Sequence, residues 1–230
     1  MKDVPKGLES VSMHEFSEEE KRGVYRSIYE RRDIRKEFLP TPIPKDILLK
    51  ILDAAHHAGS VGFMQPWNFI VIQDVLIKKR VKEIFERENK SASENYEGQR
   101  KETYLSLKLE GILESAVNIC VTCNSSRNGP HVLGRNTIAE TDLFSTCCAI
   151  QNLWLAARSE GIGMGWVSIL DNQDLKPLLN IPEHVKAVAY LCLGYVTEFP
   201  GKPMLEEANW GKRIPLEELI FWDGWSQKCQ

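Results

Sequence analysis

Residues 138–159 read as the longest apolar helix of the chain, with Leu143, Phe144, Cys147, Ile150, Leu153, Trp154 and Ala157 distributed almost all the way round its axis. A helix that is apolar on nearly every side is not stable on a solvated surface, so it is either the central core helix of the fold or a helix buried between subunits. Either placement needs other elements around it. Three apolar runs rich in β-branched and aromatic residues, 67–72, 116–123 and 185–196, read as strands, and the glycine-rich stretch 161–168 turns from helix into a further strand. A chain of 230 residues, 43% of them hydrophobic, can bury one sizeable core around such elements, which implies a single α+β or α/β domain.

The remaining segments fit around that core. Residues 17–31 predict a helix with Ser17 as N-cap and Glu20 as its capping-box partner. A proline-broken connector follows, and 45–57 resumes helical periodicity through Ile47, Leu48, Ile51, Leu52 and Ala55. Helical spacing returns at 75–88, and residues 89–99 turn polar before Tyr104, Leu105, Leu107, Leu109 and Ile112 restore it. A polar insert of about 89–108 between helices predicts a lid. A short helix is expected at 176–179, ahead of Pro182. The stretch from 199 onward is rich in proline, tryptophan and charge, with too little periodicity for its own core, and predicts an arm lying over a partner subunit. The expected organisation is an extension at 1–16, a domain at 17–222 and a tail at 223–230.

Charge narrows the function. A net charge of −3 and an isoelectric point near 6.0 give no basic field for nucleic acid or an anionic membrane surface. Residues 1–20 show no secretory signal pattern, and no run has the apolar length of a membrane span. The six cysteines sit mostly in apolar runs, where reduced buried thiols are expected, so the compartment is read as cytoplasmic. Cys120 and Cys123 have C-x-x-C spacing without a second Cys/His pair, which reads as structural thiols and not a metal site. His56 and His57 read as a surface or C-cap pair.

The local exception to this weak field is Arg31-Arg32-Asp33-Ile34-Arg35, three guanidinium forks in five positions. Forks match a phosphate bidentately, which makes a phosphorylated ligand the natural candidate. Read with Ser60, with Gln65-Pro66-Trp67-Asn68-Phe69, with Gly165-Trp166-Val167-Ser168 and with Lys212-Arg213-Ile214-Pro215-Leu216, this stretch resembles the FMN-dependent nitroreductase superfamily over roughly residues 20–220. The departures are informative. Asp33 stands where that superfamily usually has serine, Gly59 where it has proline and Phe63 where it has asparagine. With 106–112, Ser-Leu-Lys-Leu-Glu-Gly-Ile, they look like the dimethylbenzimidazole synthases, the flavin-fragmenting branch that serves cobalamin biosynthesis.

That resemblance implies an α+β fold with a central, mostly antiparallel sheet wrapped by helices, in an intertwined homodimer with FMN at the subunit interface. It implies that reduced FMN is the substrate and O2 the co-substrate, and that dimethylbenzimidazole and erythrose phosphate leave. Arg31, Arg32, Arg35 and Arg213 would hold the phosphate and ribityl chain. Ser60, Gln65 and Asn68, with Ile34, Trp166 and Val167, would line the flavin. Asp33 and Ser168 would be catalytic, the first as a proton acceptor near the ribityl carbon to be oxidised, the second as a hydrogen-bonding group at the reactive edge. A ring enclosed beneath a lid leaves little room for a nicotinamide, so no tight NAD(P)H site is expected and a separate flavin reductase would supply reduced FMN. The alternatives at this point are an NAD(P)H-dependent nitroreductase or flavin reductase, and a non-catalytic FMN carrier.

Overall fold

The computed structural model describes residues 14–225. Seven helices and four strands are found among them: α1 (Glu18–Glu30), α2 (Lys45–His56), β1 (Trp67–Ile72), α3 (Val75–Ser93), α4 (Gly98–Ser106), β2 (Val117–Asn124), α5 (Thr141–Ser159), β3 (Ile162–Val167), α6 (Asn172–Leu178), β4 (Val185–Tyr195) and α7 (Met204–Glu207). The capping box at the start of α1 forms as the sequence predicts: Ser17 Oγ accepts from the Glu20 amide, and the Glu20 carboxylate accepts from the Ser17 amide. Several boundaries differ. α4 ends at Ser106, so Leu107, Leu109 and Ile112 lie beyond it, and α5 begins at Thr141 and not at 138. α3 runs on to Ser93 and α4 begins at Gly98, so the segment read as a polar insert is mostly helix with a short link at 94–97. α6 starts at Asn172, before the expected 176, because Asp171 caps it by accepting from the Gln173 amide.

The strands form one antiparallel sheet in the order β1-β2-β4-β3. Both faces are covered, which is why β2 reads as an almost unbroken apolar run. On one face, Val117, Ile119 and Val121 of β2 and Ala189, Leu191 and Leu193 of β4 pack on Ile51 and Ala55 of α2 and on Ala149, Ile150, Leu153 and Trp154 of α5. On the other, Cys120, Tyr190 and Cys192 pack on Val81 and Phe85 of α3 and Leu175 of α6. A register shift between Val121 and Thr122 makes Ala187 the next partner after Ala189. The extra residue, Val188, turns the alternation over, so Val185 and Ala187 share a face with Tyr190 and Cys192.

The α5 helix is a core helix along one side only. Its Ala149, Ile150, Leu153, Trp154 and Ala157 enter the core, while Phe144, Cys147 and Cys148 remain exposed. Cys120 and Cys123 lie three apart on one strand and so project to opposite faces of the sheet; burial pushes the Cys120 thiol up to about 12. No group of three or more His, Cys, Asp or Glu able to hold a metal gathers among the described residues, and no helix among them is long and apolar enough to cross a membrane.

The glycines of β3 give the sheet an unusual edge. The Ile34 amide donates to the Met164 carbonyl at 3.0 Å, and Asp33 bridges Met164 in parallel. A Cβ on Gly165 would lie 2.1 Å from the Ile34 carbonyl oxygen, and one on Gly163 would lie 2.9 Å from the Ile34 side chain. Gly165 is required by close backbone approach, and Gly163 by the Val196 and Ile34 side chains packed against it. Ile34 is fully buried there. Phe38 and Val196 then make an antiparallel bridge, which continues the edge.

Gly165→Ala should therefore lower the unfolding free energy by about 3 kcal/mol, the upper range for overpacking. Gly23→Ala, in the middle of α1 with nothing within 4 Å of the added carbon, should raise it by about 0.5–1 kcal/mol. Denaturant midpoints of the two variants check both.

Candidate functional site

The docked strand edge places Asp33 beside the end of β3. Asp33 Oδ1 accepts from the Trp166 amide at 3.1 Å and from Arg35 Nε at 3.1 Å, and Oδ2 accepts from Arg35 Nη2 at 2.5 Å. The pair is a fork-on-carboxylate contact in which the Asp33 side chain remains 40% exposed and that of Arg35 only 13%. Arg35 also donates from Nη2 to the Trp166 carbonyl at 2.9 Å and from Nη1 to the Leu109 carbonyl. The guanidinium is thus taken up by protein acceptors, and what it does here is fix a carboxylate. Asp33, Arg35 and Arg32 line one side of a cleft of about 270 Å³ whose other side is 198–204 and Glu207.

The four arginines expected to act alike fall into two kinds. Arg32 donates to the Tyr29 carbonyl at 2.8 Å, the Arg31 carbonyl at 2.8 Å and the Gly201 carbonyl at 2.7 Å. It closes the C-terminus of α1 and ties it to the distal chain; its buried Nε has no protein partner. Arg31 lies over the Trp154 ring, 4.4 Å from the centroid. Burial lowers the Arg31 guanidinium from its ordinary value; Asp33 opposes that, while the like charges of Arg32 and Arg213 add to it. Neither Arg31 nor Arg213 is in an ion pair among the described residues. The half-buried Arg31 guanidinium, on which the like charge of Arg213 acts, has a chemistry that suits an anion.

A second group lies at the start of β1. Ser60 Oγ accepts from the Gln65 amide at 3.0 Å and holds a loop in which Gly62, Phe63 and Gln65 all have positive φ. A Cβ on Gly62 would meet the Leu133 carbonyl oxygen at 2.6 Å. Arg127 donates to the Gln65 carbonyl at 2.5 Å and the Trp67 carbonyl at 3.2 Å, and also to Asn68 Oδ1. Asn68 Nδ2 donates to Thr122 Oγ1 at 3.1 Å, so both ends of that amide are engaged within the protein. Arg127 is the residue that sequence reasoning missed. Its signal was positional: it follows β2 directly, and Trp67 pairs with Cys123, so a long side chain just past β2 must reach the start of β1.

Ser60, Gln65 and Asn68 belong to the β1 edge, whereas Asp33, Ile34, Trp166, Val167 and Ser168 belong to the β3 edge. In the order β1-β2-β4-β3 these are opposite edges, about 14 Å apart at the usual strand spacing. Within one chain the two groups of expected site residues are not brought together. Ser168 is exposed just past β3 and lines a separate small hollow of about 100 Å³ with Leu170, Asn172 and Tyr190. Trp166 packs partly against the core.

Beneath Arg35 lies a buried ion network. Glu110, 1% exposed, accepts from Lys82 at 2.6 Å, from Lys108 and from the Ile112 amide at 2.8 Å. It adjoins Leu109, whose carbonyl holds Arg35. Burial would push the Glu110 carboxyl up, but Lys108, Lys82 and the Ile112 amide outweigh it and leave the group below its ordinary value.

Residues 28–195 match the model of the nitroreductase family. The chain belongs to that family. It is 38% identical over 185 residues to a 5,6-dimethylbenzimidazole synthase of Rhodospirillum rubrum, an alignment covering 80% of this chain and 87% of the relative. It is 35% identical to a 5,6-dimethylbenzimidazole synthase of Rhodobacter capsulatus, over 81% of this chain and 90% of that one. Among solved structures, a BluB-like flavoprotein of Clostridium difficile superposes with a TM-score of 0.65 at 18% identity, over 87% of this chain and 98% of that one, which is a likeness of fold.

Because the Glu110 carboxyl is held below its ordinary value, its ion pairs stabilise the fold above that value, about pH 4.5, and this contribution is lost as the pH falls through the lowered one. Glu110→Gln should cost about 3 kcal/mol at neutral pH and leave a shallower acid limb in the stability profile. Urea unfolding of both proteins between neutral and acid pH measures the difference.

Proposed function

We propose that this nitroreductase-family chain is a 5,6-dimethylbenzimidazole synthase: with O2 it fragments reduced FMN to 5,6-dimethylbenzimidazole, the lower ligand of cobalamin, and releases erythrose 4-phosphate. The observation that carries the reading is Asp33 itself. Its carboxylate is gripped by the Arg35 fork and the Trp166 amide, yet remains 40% exposed beside the cleft. A carboxylate so held cannot swing, and it is placed to accept a proton from a ligand. The naming of two relatives at 35% identity or more as dimethylbenzimidazole synthases supports the same reading.

The donor set fits FMN. Arg31 and Arg213, a half-buried and an exposed guanidinium without carboxylate partners, would hold the phosphate, and Arg32 would help from the same turn through its unpartnered Nε. When bound, reduced FMN supplies the ring to be fragmented and the electrons that activate O2. Asp33 would take the proton from the ribityl carbon next to the ring, Arg35 would keep the carboxylate aimed, and Ser168 would donate a hydrogen bond at the reactive edge. The Ile34 and Val167 backbone would line the β3 side, and Ser60, Gln65 and Asn68 the other.

The separation of these groups on opposite sheet edges supports a homodimer, in which the β1 edge of one copy completes the β3 edge of the other with FMN between them. The exposed apolar residues point the same way: Tyr25, Ile28 and Tyr29 of α1, Phe63, Leu133 and Phe144 are each more than two-fifths exposed in the single chain, a surface that a second copy would cover. A separate flavin reductase would deliver reduced FMN. Free buried thiols at Cys120, Cys123 and Cys192 suit a reducing compartment such as the cytoplasm.

Asp33→Asn should bind FMN within about twofold of the unaltered chain while product formation falls by about 100-fold or more; flavin titration beside product mass spectrometry reads the two quantities, and undiminished product would remove Asp33 from the mechanism. Arg31→Gln or Arg213→Gln should weaken FMN binding by about 10- to 100-fold, the range for a charge-assisted hydrogen bond, and leave riboflavin binding unchanged. Fluorescence titration with both flavins separates the phosphate contribution.

A further inference from the structure

The α3–α4 segment carries an aromatic cluster that the site as described does not use. Tyr96, in the link between the helices, stacks on Tyr104 of α4 with ring centroids 4.9 Å apart. The Trp210 ring meets Tyr96 edge-on at 5.1 Å and lies 6.2 Å from Tyr104. The Arg100 guanidinium sits 4.2 Å from the Trp210 centroid and 6.0 Å from that of Tyr96. Tyr104 is 6% exposed, and its hydroxyl donates to Asn89 of α3 at 2.7 Å, which ties both helices to this cluster. The distal chain, expected to lie over a partner, here lies in part on its own α3–α4 segment.

Trp210 is held in a stiff turn. Its amide donates to the Leu205 carbonyl at 2.8 Å, the Gly211 amide reaches the same carbonyl at 3.4 Å, and Asn209 takes a positive φ of 53°. Only Gly211 and Lys212 separate it from Arg213, so ring and guanidinium are linked by at most about 10 Å of chain. Arg213 feels Arg31 as a like charge. A dianion between the two guanidinium groups would replace that repulsion with attraction to both and hold the 211–213 segment beside Arg31. Trp210 would be held with it, on the Tyr96, Tyr104 and Arg100 cluster it contacts.

We propose that Trp210 is a specificity-determining latch, coupling recognition of the ligand's phosphate at Arg31 and Arg213 to closure of the α3–α4 segment, so that a flavin without a phosphate binds without closing it. The inference rests on the phosphate site of the proposed function. It makes the enclosure needed to exclude water conditional on the part of the ligand most remote from the ring.

Hydrogen exchange followed by mass spectrometry on the full chain tests this without turnover, using oxidised FMN, riboflavin and inorganic phosphate as probes. Amides of residues 95–106 should exchange about tenfold more slowly with saturating FMN than with riboflavin, the scale of two or three aromatic and cation–π contacts. Inorganic phosphate should reproduce part of the protection. Trp210→Ala should abolish the difference between the two flavins, and Trp210→Phe should restore most of it, which a general loss of stability would not do. Equal protection by riboflavin and FMN, no protection by phosphate, or full FMN protection in Trp210→Ala would each overturn the latch. A chain that makes dimethylbenzimidazole yet shows equal protection keeps the proposed function and loses the latch. Phosphate-dependent protection in a chain that makes no product does the reverse.

Discussion

The docking of the Ile34 backbone on β3 is the constraint from which the rest of the site follows. One amide-to-carbonyl bond to Met164 and the space left by Gly163 and Gly165 let an otherwise irregular segment lie against the sheet as a partial fifth strand. Asp33 then reaches the Trp166 amide, and Arg35 reaches Asp33, the Trp166 carbonyl and the Leu109 carbonyl. Gly111 packs under the same segment, where a Cβ would meet Phe38 at 2.6 Å and the Arg35 carbonyl at 2.9 Å. Side chains at any of these glycines would lift the segment, and the carboxylate would lose its aim before any ligand was involved.

Electrostatics divides the labour among groups of the same type. Arg35 neutralises and orients Asp33. Arg32 satisfies carbonyls at the end of α1, where a helix leaves acceptors unpaired. Arg31 and Arg213 are left with uncompensated charge. On a chain with a net charge of −3, such a local concentration persists only because its members are anchored by other means: Arg31 by the Trp154 face and Arg32 by its carbonyls. Next to Leu109, Glu110 held between Lys82 and Lys108 supplies a rigid base, with Glu86 and Glu114 sharing the same lysines.

Much of this was legible in the sequence, for identifiable reasons. The strands declared themselves by β-branched apolar runs, α1 by its capping box, and the glycines of 161–168 as the turn from helix into strand. The extension of α3 through Asn89 to Ser93 was hidden because Asn89, Ser91 and Ser93 are polar, weak helix formers, and the helix continues by propagation from a well-packed first half in which Val81, Ile84 and Phe85 are buried. Arg127 and the true duty of Arg35 were hidden for a different reason. Both bond mainly to backbone carbonyls supplied by distant strands and loops, and a carbonyl leaves no trace in residue identity. The distribution of site residues over two sheet edges was equally invisible, since it depends on strand order.

The central claim is that the chain consumes reduced FMN instead of recycling it. Mass spectrometry of the products formed when the purified protein meets photochemically reduced FMN in aerated buffer, without pyridine nucleotide, tests that claim most directly. The account predicts dimethylbenzimidazole in proportion to protein, with erythrose 4-phosphate in equal amount. Recovery of the flavin intact as oxidised FMN, with steady NAD(P)H consumption once that is added, would contradict it and leave an ordinary flavin reductase.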